Sequence, residues 1–428
     1  MVSFCIYAIF IISFFGNFFS GYNLAPDYIN WLTEPLIYSL LLYSISIKKG
    51  NIKLPFITFI LFFLLAGFFS SIVNKNLSVY SLLSVRNVLR FYLFYLAIVN
   101  LSFEEIQLKK INYFLVWVFI IQIPVATIKL FFYGQGERAI GTYSMTDGSL
   151  STIIPMIAIS FLLGYYILYN KNFVFIFLMM AFIYYSIIGG KRAFIFMLPL
   201  LLIFVYYMMM VKGKWGKRQK SFSGIKGIIY IPIIIIIVGY FCLKFIPTLN
   251  PEKETGGSIN PNYAIDYAIK STKGTSSEDF RITTGRWATT KRIYTTLYNK
   301  GLDKLIFGLG PGETIKSRFR DRSYREKVLS EFKIGYGITS LGFILMEFGI
   351  IGTVIFIFLI CYILFYSFKY FMCKHEPYWE AFSFGTAAMC FCMVVWFFSY
   401  STTAFFADTI PCFFYYCLGV VNNHGIES

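Results

Sequence analysis

Residues 193–220 read AFIFMLPLLLIFVYYMMMVKGKWGKRQK. The stretch from 193 to 211 carries no charge and ends at a cluster of lysines. A helix rises about 1.5 Å per residue, so a run of roughly 20 apolar residues covers a bilayer core of about 30 Å. A span with a basic flank is the natural reading, and the pattern recurs along the chain. Of 428 residues, 57% are hydrophobic and only 14% charged, with a mean hydropathy of +0.66. A soluble domain carries about a quarter charged residues.

The expected fold is all-α: a polytopic integral membrane protein with about twelve transmembrane helices and one large external loop containing short helices. The spans fall near residues 4–20, 29–47, 54–73, 82–100, 111–133, 149–170, 172–188, 193–211, 228–246, 337–367, 380–399 and 405–421. Glu34 and Pro35 interrupt the second, and Arg86 and Arg90 the fourth. The first run, FCIYAIFIISFFGNFF, has no basic residue before it and no small-residue cleavage site after it, and reads as a retained span. The organisation expected is a bundle of spans 1–9 (residues 1–246), an external loop (247–336) and spans 10–12 (337–428).

Lysines set the orientation. Residues 212–227, KGKWGKRQKSFSGIKG, hold five lysines, one arginine and no acid, and links 48–53 and 104–110 also carry lysine. With a cytoplasmic N-terminus all three links fall inside, as the positive-inside rule requires. Residues 247–336 then fall outside. They are basic too, but long segments translocate largely regardless of charge.

The eight cysteines lie in or beside apolar runs, and Cys390 and Cys392 read as packing residues. No acidic or His/Cys cluster with metal-ligand spacing is visible, so no metal and no cofactor is expected. The net charge of +17 follows largely from cytoplasmic lysines and does not call for nucleic acid.

Within the external loop, residues 285–300 read as a helix capped by Thr284 and Gly301, with Trp287, Tyr294, Leu297 and Tyr298 on one face. Arg286 falls in its first turn, a favourable place for an anion. FGLGPG (307–312) follows as a tight turn able to bring backbone close to a ligand. Next comes a basic stretch, ETIKSRFRDRSYREKV, suited to a membrane surface or to a solvated helix face. Arg138, Arg192, Arg86 and Arg90 gather on the same expected side, which the positive-inside rule disfavours. An arginine-lined external pocket would suit an anionic, lipid-linked substrate.

In order and spacing, RAIGTY (138–143), GGKRAF (189–194), TTGRW (283–287), FGLGPG (307–312) and LMEFGIIG (345–352) resemble the Wzy-type O-antigen and capsular polysaccharide polymerases and the related O-antigen ligases. The resemblance covers about residues 110–367. It implies glycosyl transfer on the outer face of the bacterial cytoplasmic (inner) membrane. The donor would be an undecaprenyl-pyrophosphate-linked oligosaccharide. By that resemblance Arg192 and Arg286 are catalytic. Arg138, Arg86, Arg90, Arg281, Gly308, Gly310 and Gly312 would bind substrate. Membrane lipids, a chain-length regulator and a flippase are the implied partners. In the ligases a His-Asn pair precedes the tenth-span motif, whereas Ile338 and Thr339 stand there in this chain. That departure favours a polymerase and leaves the general base open among Glu313, Glu331 and Glu347. A ligase is the alternative. A lipid-linked oligosaccharide flippase fits less well, since no internal repeat is visible.

The lysine asymmetry predicts opposite sides for residues 220 and 265. Reporter fusions at the two positions should read cytoplasmic and external respectively, and a cytoplasmic signal at 265 would overturn the external placement of the arginines.

Overall fold

The computed structural model describes residues 2–48, 51–143, 148–215, 225–273, 283–313, 328–336 and 338–424. Arg281 and most of the basic stretch (314–327) lie outside the described residues, as does much of the lysine-rich link (216–224). The chain is mostly helical: α1 (Val2–Gly21), α2 (Thr33–Lys48), α3 (Ile57–Val73), α4 (Val79–Asn100), α5 (Glu105–Ile120), α6 (Gln122–Tyr133), α7 (Leu150–Gly164), α8 (Phe173–Ile188), α9 (Ala193–Trp215) and α10 (Ile225–Phe245). Then follow α11 (Pro261–Lys273), α12 (Arg286–Lys300), α13 (Leu302–Phe307), α14 (Ser340–Met372), α15 (Pro377–Ser399), α16 (Thr403–Phe406) and α17 (Thr409–His424). A small parallel pairing of Thr283–Thr284 with Ile334–Tyr336 is the departure from an all-α fold among the described residues.

A helix stands at each expected span, and the protein is a multi-pass membrane protein. The count of twelve is not reached among the described residues. Six helices are long and apolar enough to cross a bilayer, or seven if Val79–Asn87 and Leu89–Asn100, bent by 41°, form one span. Others are shorter: α3 has 17 residues and α2, α8 and α17 have 16 each. At 1.5 Å per residue these cover only about 25 Å.

Two helices form the centre. The most apolar windows of α7 (with its one-turn extension to Tyr169) and of α15 are 72% and 78% buried inside the protein, against 33% for α1 and for α5–α6. The outer helices therefore present their apolar faces to lipid and the inner pair to protein. Small residues bring the inner pair together: a Cβ at Gly164 of α7 would lie 2.6 Å from the Ala381 carbonyl of α15.

Helix α14 breaks at Gly349 (φ 63°, ψ −164°). The carbonyls of Met346 and Glu347 accept instead from the amides of Leu309 (2.9 Å) and Gly310 (3.0 Å) of the FGLGPG turn. The Glu347 carboxylate, fully buried, accepts from the Gly312 amide (3.1 Å) and from Ser84 (3.2 Å). The Gly308 carbonyl accepts from Asn74 at 3.0 Å. The turn thus approaches protein backbone, where a ligand was expected.

That clasp leaves no space at two of its glycines. A Cβ at Gly308 (φ 77°) would lie 2.5 Å from the Gly349 nitrogen, and one at Gly312 (φ 90°) 2.5 Å from the Tyr80 carbonyl oxygen. At Gly310 (φ 105°) the nearest atom is 3.5 Å away. Gly308→Ala and Gly312→Ala should each lose about 1 kcal/mol or more from the backbone conformation and about 1–3 kcal/mol more from overpacking. Gly310→Ala should lose only the first contribution. Thermal midpoints in one detergent at one scan rate rank the three; equal midpoints would contradict the clasp.

Candidate functional site

Several segments converge where α7 begins. The Ser149 hydroxyl, at the N-cap, accepts from Ser401 at 3.4 Å. Ser151 occupies the place a Cβ at Gly189 would take, its own Cβ 2.2 Å from it. The Thr152 hydroxyl accepts from Tyr400 at 3.2 Å. Glu137 lies against Gly148, its Cβ 3.0 Å from the position of a Cβ there. The loop after α6, the turn between α8 and α9, and the end of α15 are thereby assembled around one helix terminus.

Arg286 and Arg192 complete the arrangement. Arg286 Nη1 donates to the Ser399 carbonyl at 2.9 Å, at the C-terminal end of α15, and its guanidinium lies 4.2 Å from the centre of the Tyr400 ring. Arg192 leads into α9 and lies 4.3 Å from the centre of the Tyr267 ring on α11. Its buried Nη1 has no hydrogen-bond partner among the described residues. Neither arginine forms an ion pair among the described residues. Burial pulls the Arg286 pKa down from its ordinary value; Tyr400 opposes this, and the nearby positive charge of Arg192 adds to it. Burial likewise pushes the Tyr400 phenol up, against the pull of Arg286, with a smaller upward push from Glu137. The site is therefore a pair of part-buried cations, each over the ring of a tyrosine.

Hydroxyl groups and helix termini surround the pair. Thr339 caps α14 by accepting from the Gly342 amide at 3.0 Å and meets Thr290 of α12 at 3.1 Å. Thr339 also bridges to Ser401, and Ser340 donates to the Ser401 carbonyl at 3.2 Å. The N-terminal ends of α7, α9, α12 and α14 open onto this region, and such ends favour negative charge.

Other expected residues have different places. Arg86 pairs with Glu34 of α2 at 2.8 Å, while Arg90, buried, pairs with Asp408 and lies 3.6 Å from Glu34. Their charges are answered within the protein. Arg138 is exposed, while Ala139 to Tyr143 of the same loop are buried. Gly308, Gly310 and Gly312 belong to the clasp. The N-cap of α12 is Gly285 (φ 100°), one residue past the Thr284 expected to cap it. The packed face of α12 is Thr289, Ile293 and Leu297, leaving Trp287, Tyr294 and Tyr298 exposed. Spacing by four aligns the buried three, so of the expected stripe Leu297 alone faces inward.

Sequence reasoning passed over Tyr267, Tyr400 and Glu137 at the site, and Gln122 and Lys129 behind it. Gln122 accepts from the Thr142 amide (2.8 Å) and hydroxyl (2.9 Å), and Lys129 donates to the carbonyls of Ile140 and Tyr143, both at 3.1 Å. The two hold the RAIGTY loop. Their spacing of seven, which places polar groups on one face of an apolar helix, is a signal the sequence carries. No protein-family model and no curated protein matches the chain.

The ion pairs separate Arg86 and Arg90, answered by carboxylates, from Arg192 and Arg286, which have no carboxylate partner among the described residues. Asp408→Asn leaves the buried Arg90 guanidinium under-partnered and should lower stability by about 1–3 kcal/mol. Arg86→Ala, at a side chain 38% exposed, should change it by less than about 1 kcal/mol. Thermal midpoints of the purified variants check both.

Proposed function

We propose that the protein is a polysaccharide polymerase of the external face of the bacterial cytoplasmic membrane. It joins undecaprenyl-pyrophosphate-linked oligosaccharide repeat units of an O-antigen or capsule by glycosyl transfer. The observation that carries this reading is the placement of Arg192 and Arg286, free of carboxylate partners among the described residues, on segments that converge beside the start of α7. The motif order described above points the same way. The lack of a histidine at 338 favours a polymerase over a ligase.

In the reaction an acceptor hydroxyl attacks the anomeric carbon of the donor sugar. The bond from that carbon to the pyrophosphate oxygen breaks, and its electron pair leaves with the oxygen. The charge gathers next to the two guanidinium groups. Planar forks fit phosphate oxygens two at a time, and fixed cations in a partly desolvated site stabilise developing charge by several kcal/mol. Contact with the Tyr267 and Tyr400 rings holds both guanidinium groups in place before the donor arrives. The polar lining of Ser149, Ser401 and Thr403 suits a sugar ring beside the anion. The donor's lipid tail would lie among the outer helices.

Arg192→Ala and Arg286→Ala should each abolish the ladder of polymer lengths in complemented deletion cells, with membrane levels near wild type by immunoblot. Lysine at either position should restore little, because it keeps the charge and loses the fork. A full ladder from both alanine variants would overturn the reading.

A further inference from the structure

We propose that Glu137 is the general base of this transfer, taking the proton of the acceptor hydroxyl as its oxygen bonds to the anomeric carbon. The assignment rests on the polymerase reading. It supplies the role that Glu313, Glu331 and Glu347 were expected to contest, and each of those has other work. Glu313 is buried and bonded by Asn76. Glu347 is buried in the clasp. Glu331 pairs with Lys300 at 2.7 Å, at the far end of α12 from Arg286 and so about 20 Å along the helix.

Glu137 stands elsewhere. It lies against Gly148, next to the α7 N-cap, whose serine meets Ser401, the residue after Tyr400. One carboxylate oxygen pairs with Lys191, the residue before Arg192. The other makes no hydrogen bond among the described residues. Gly136 donates its amide to the Ile188 carbonyl at 3.0 Å, and Gln135 donates to those of Ile187 (2.8 Å) and Phe245 (2.7 Å). These bonds fix the loop that carries Glu137 against the turn that carries Arg192. Of the remaining acids, Glu34 and Asp408 answer arginines. Asp266 is exposed and adjoins Tyr267, but consecutive helix residues do not share a face.

The exposure of Glu137 suits the task. Its side chain is 64% exposed, whereas Arg286 is half-buried. A lipid-linked pyrophosphate reaches the arginines from the membrane side, and a hydrophilic acceptor glycan arrives through water. The base belongs on the wet rim, and the cations belong beneath it. The atoms balance: the acceptor oxygen gains a bond to carbon, its proton passes to the carboxylate, and the pyrophosphate departs with the electron pair of the broken bond. Lys191 orients the carboxylate through their ion pair.

The test uses the full chain, purified in detergent, with undecaprenyl-pyrophosphate-linked repeat units extracted from the host strain. Glu137→Gln should lower kcat about 100-fold, the lower range for loss of a general base, with the donor KM within about threefold of wild type. Glu137→Asp should lose less. Lys191→Gln, which breaks the ion pair and keeps the carboxylate, should lose far less than Glu137→Gln. Wild-type kcat in Glu137→Gln overturns the assignment. So does an equal loss in Lys191→Gln, since the ion pair would then be what matters, and so does a loss confined to donor KM. Wild-type protein that forms no polymer overturns the polymerase reading itself, a result distinct from all of these.

Discussion

Backbone carbonyls inside an apolar bundle need partners, because no water reaches them, and the break of α14 at Gly349 frees two of them. The amides of Leu309 and Gly310 answer both. From that exchange much else follows. The FGLGPG turn must lie against α14, so its glycines must accommodate the close approach. The short helix before the turn, α13, is drawn onto α14 and α3. Helix α12 is placed in turn by Gly301, which separates it from α13. The first turn of α12, with Arg286, therefore lands beside the end of α15. A buried acid, Glu347, secures the same joint with its side chain. The most glycine-rich motif of the chain thus acts at a distance, by positioning, and the arginine of the preceding helix meets the site.

Helix positions were legible because each is written locally, as an apolar run bounded by lysine, proline or glycine. How many of these helices cross the membrane was not. Length and apolarity describe a lipid-facing helix and a protein-buried one alike, and α7 and α15 look in sequence like α1. Arg192 and Arg286 were expected together on a resemblance of motifs, and in the structure the charge of Arg192 acts on Arg286. The fate of Arg86 and Arg90 was not legible, since Glu34 and Asp408 come from distant parts of the chain and nothing local announces the pairing. Tyr267 and Tyr400 were invisible for the same reason. The aromatic face expected on α12 failed on a matter of priority: the helix packs through Thr289, Ile293 and Leu297, and the larger rings stay outside.

The arginines divide by what answers their charge. Arg86 and Arg90 join α2, α4 and the start of α17 through carboxylates. Such pairs tie segments together, and a cation already paired is poorly placed to hold a second anion. Arg192 and Arg286 are met by aromatic faces and a carbonyl instead. Those contacts hold the side chains and supply no carboxylate among the described residues. On the function proposed above, this division lets a dianion bind without an internal ion pair having to break.

Helix α7 is a strut whose two ends have unlike surroundings. At one end its serines and Thr152 touch the site; some 15 residues further along, about 22 Å away, Gly164 is wedged against α15 with no space for a methyl group. A strut seated so tightly at its foot transmits tilt to its head. Any change in hydrophobic thickness that leans α7 against α15 would shift Ser149, Ser151 and Thr152 together, and with them the loops bearing Glu137 and Arg192. The lipid bilayer is therefore mechanically in series with the candidate site, and the acyl-chain length of the surrounding membrane bears on how these residues are aligned.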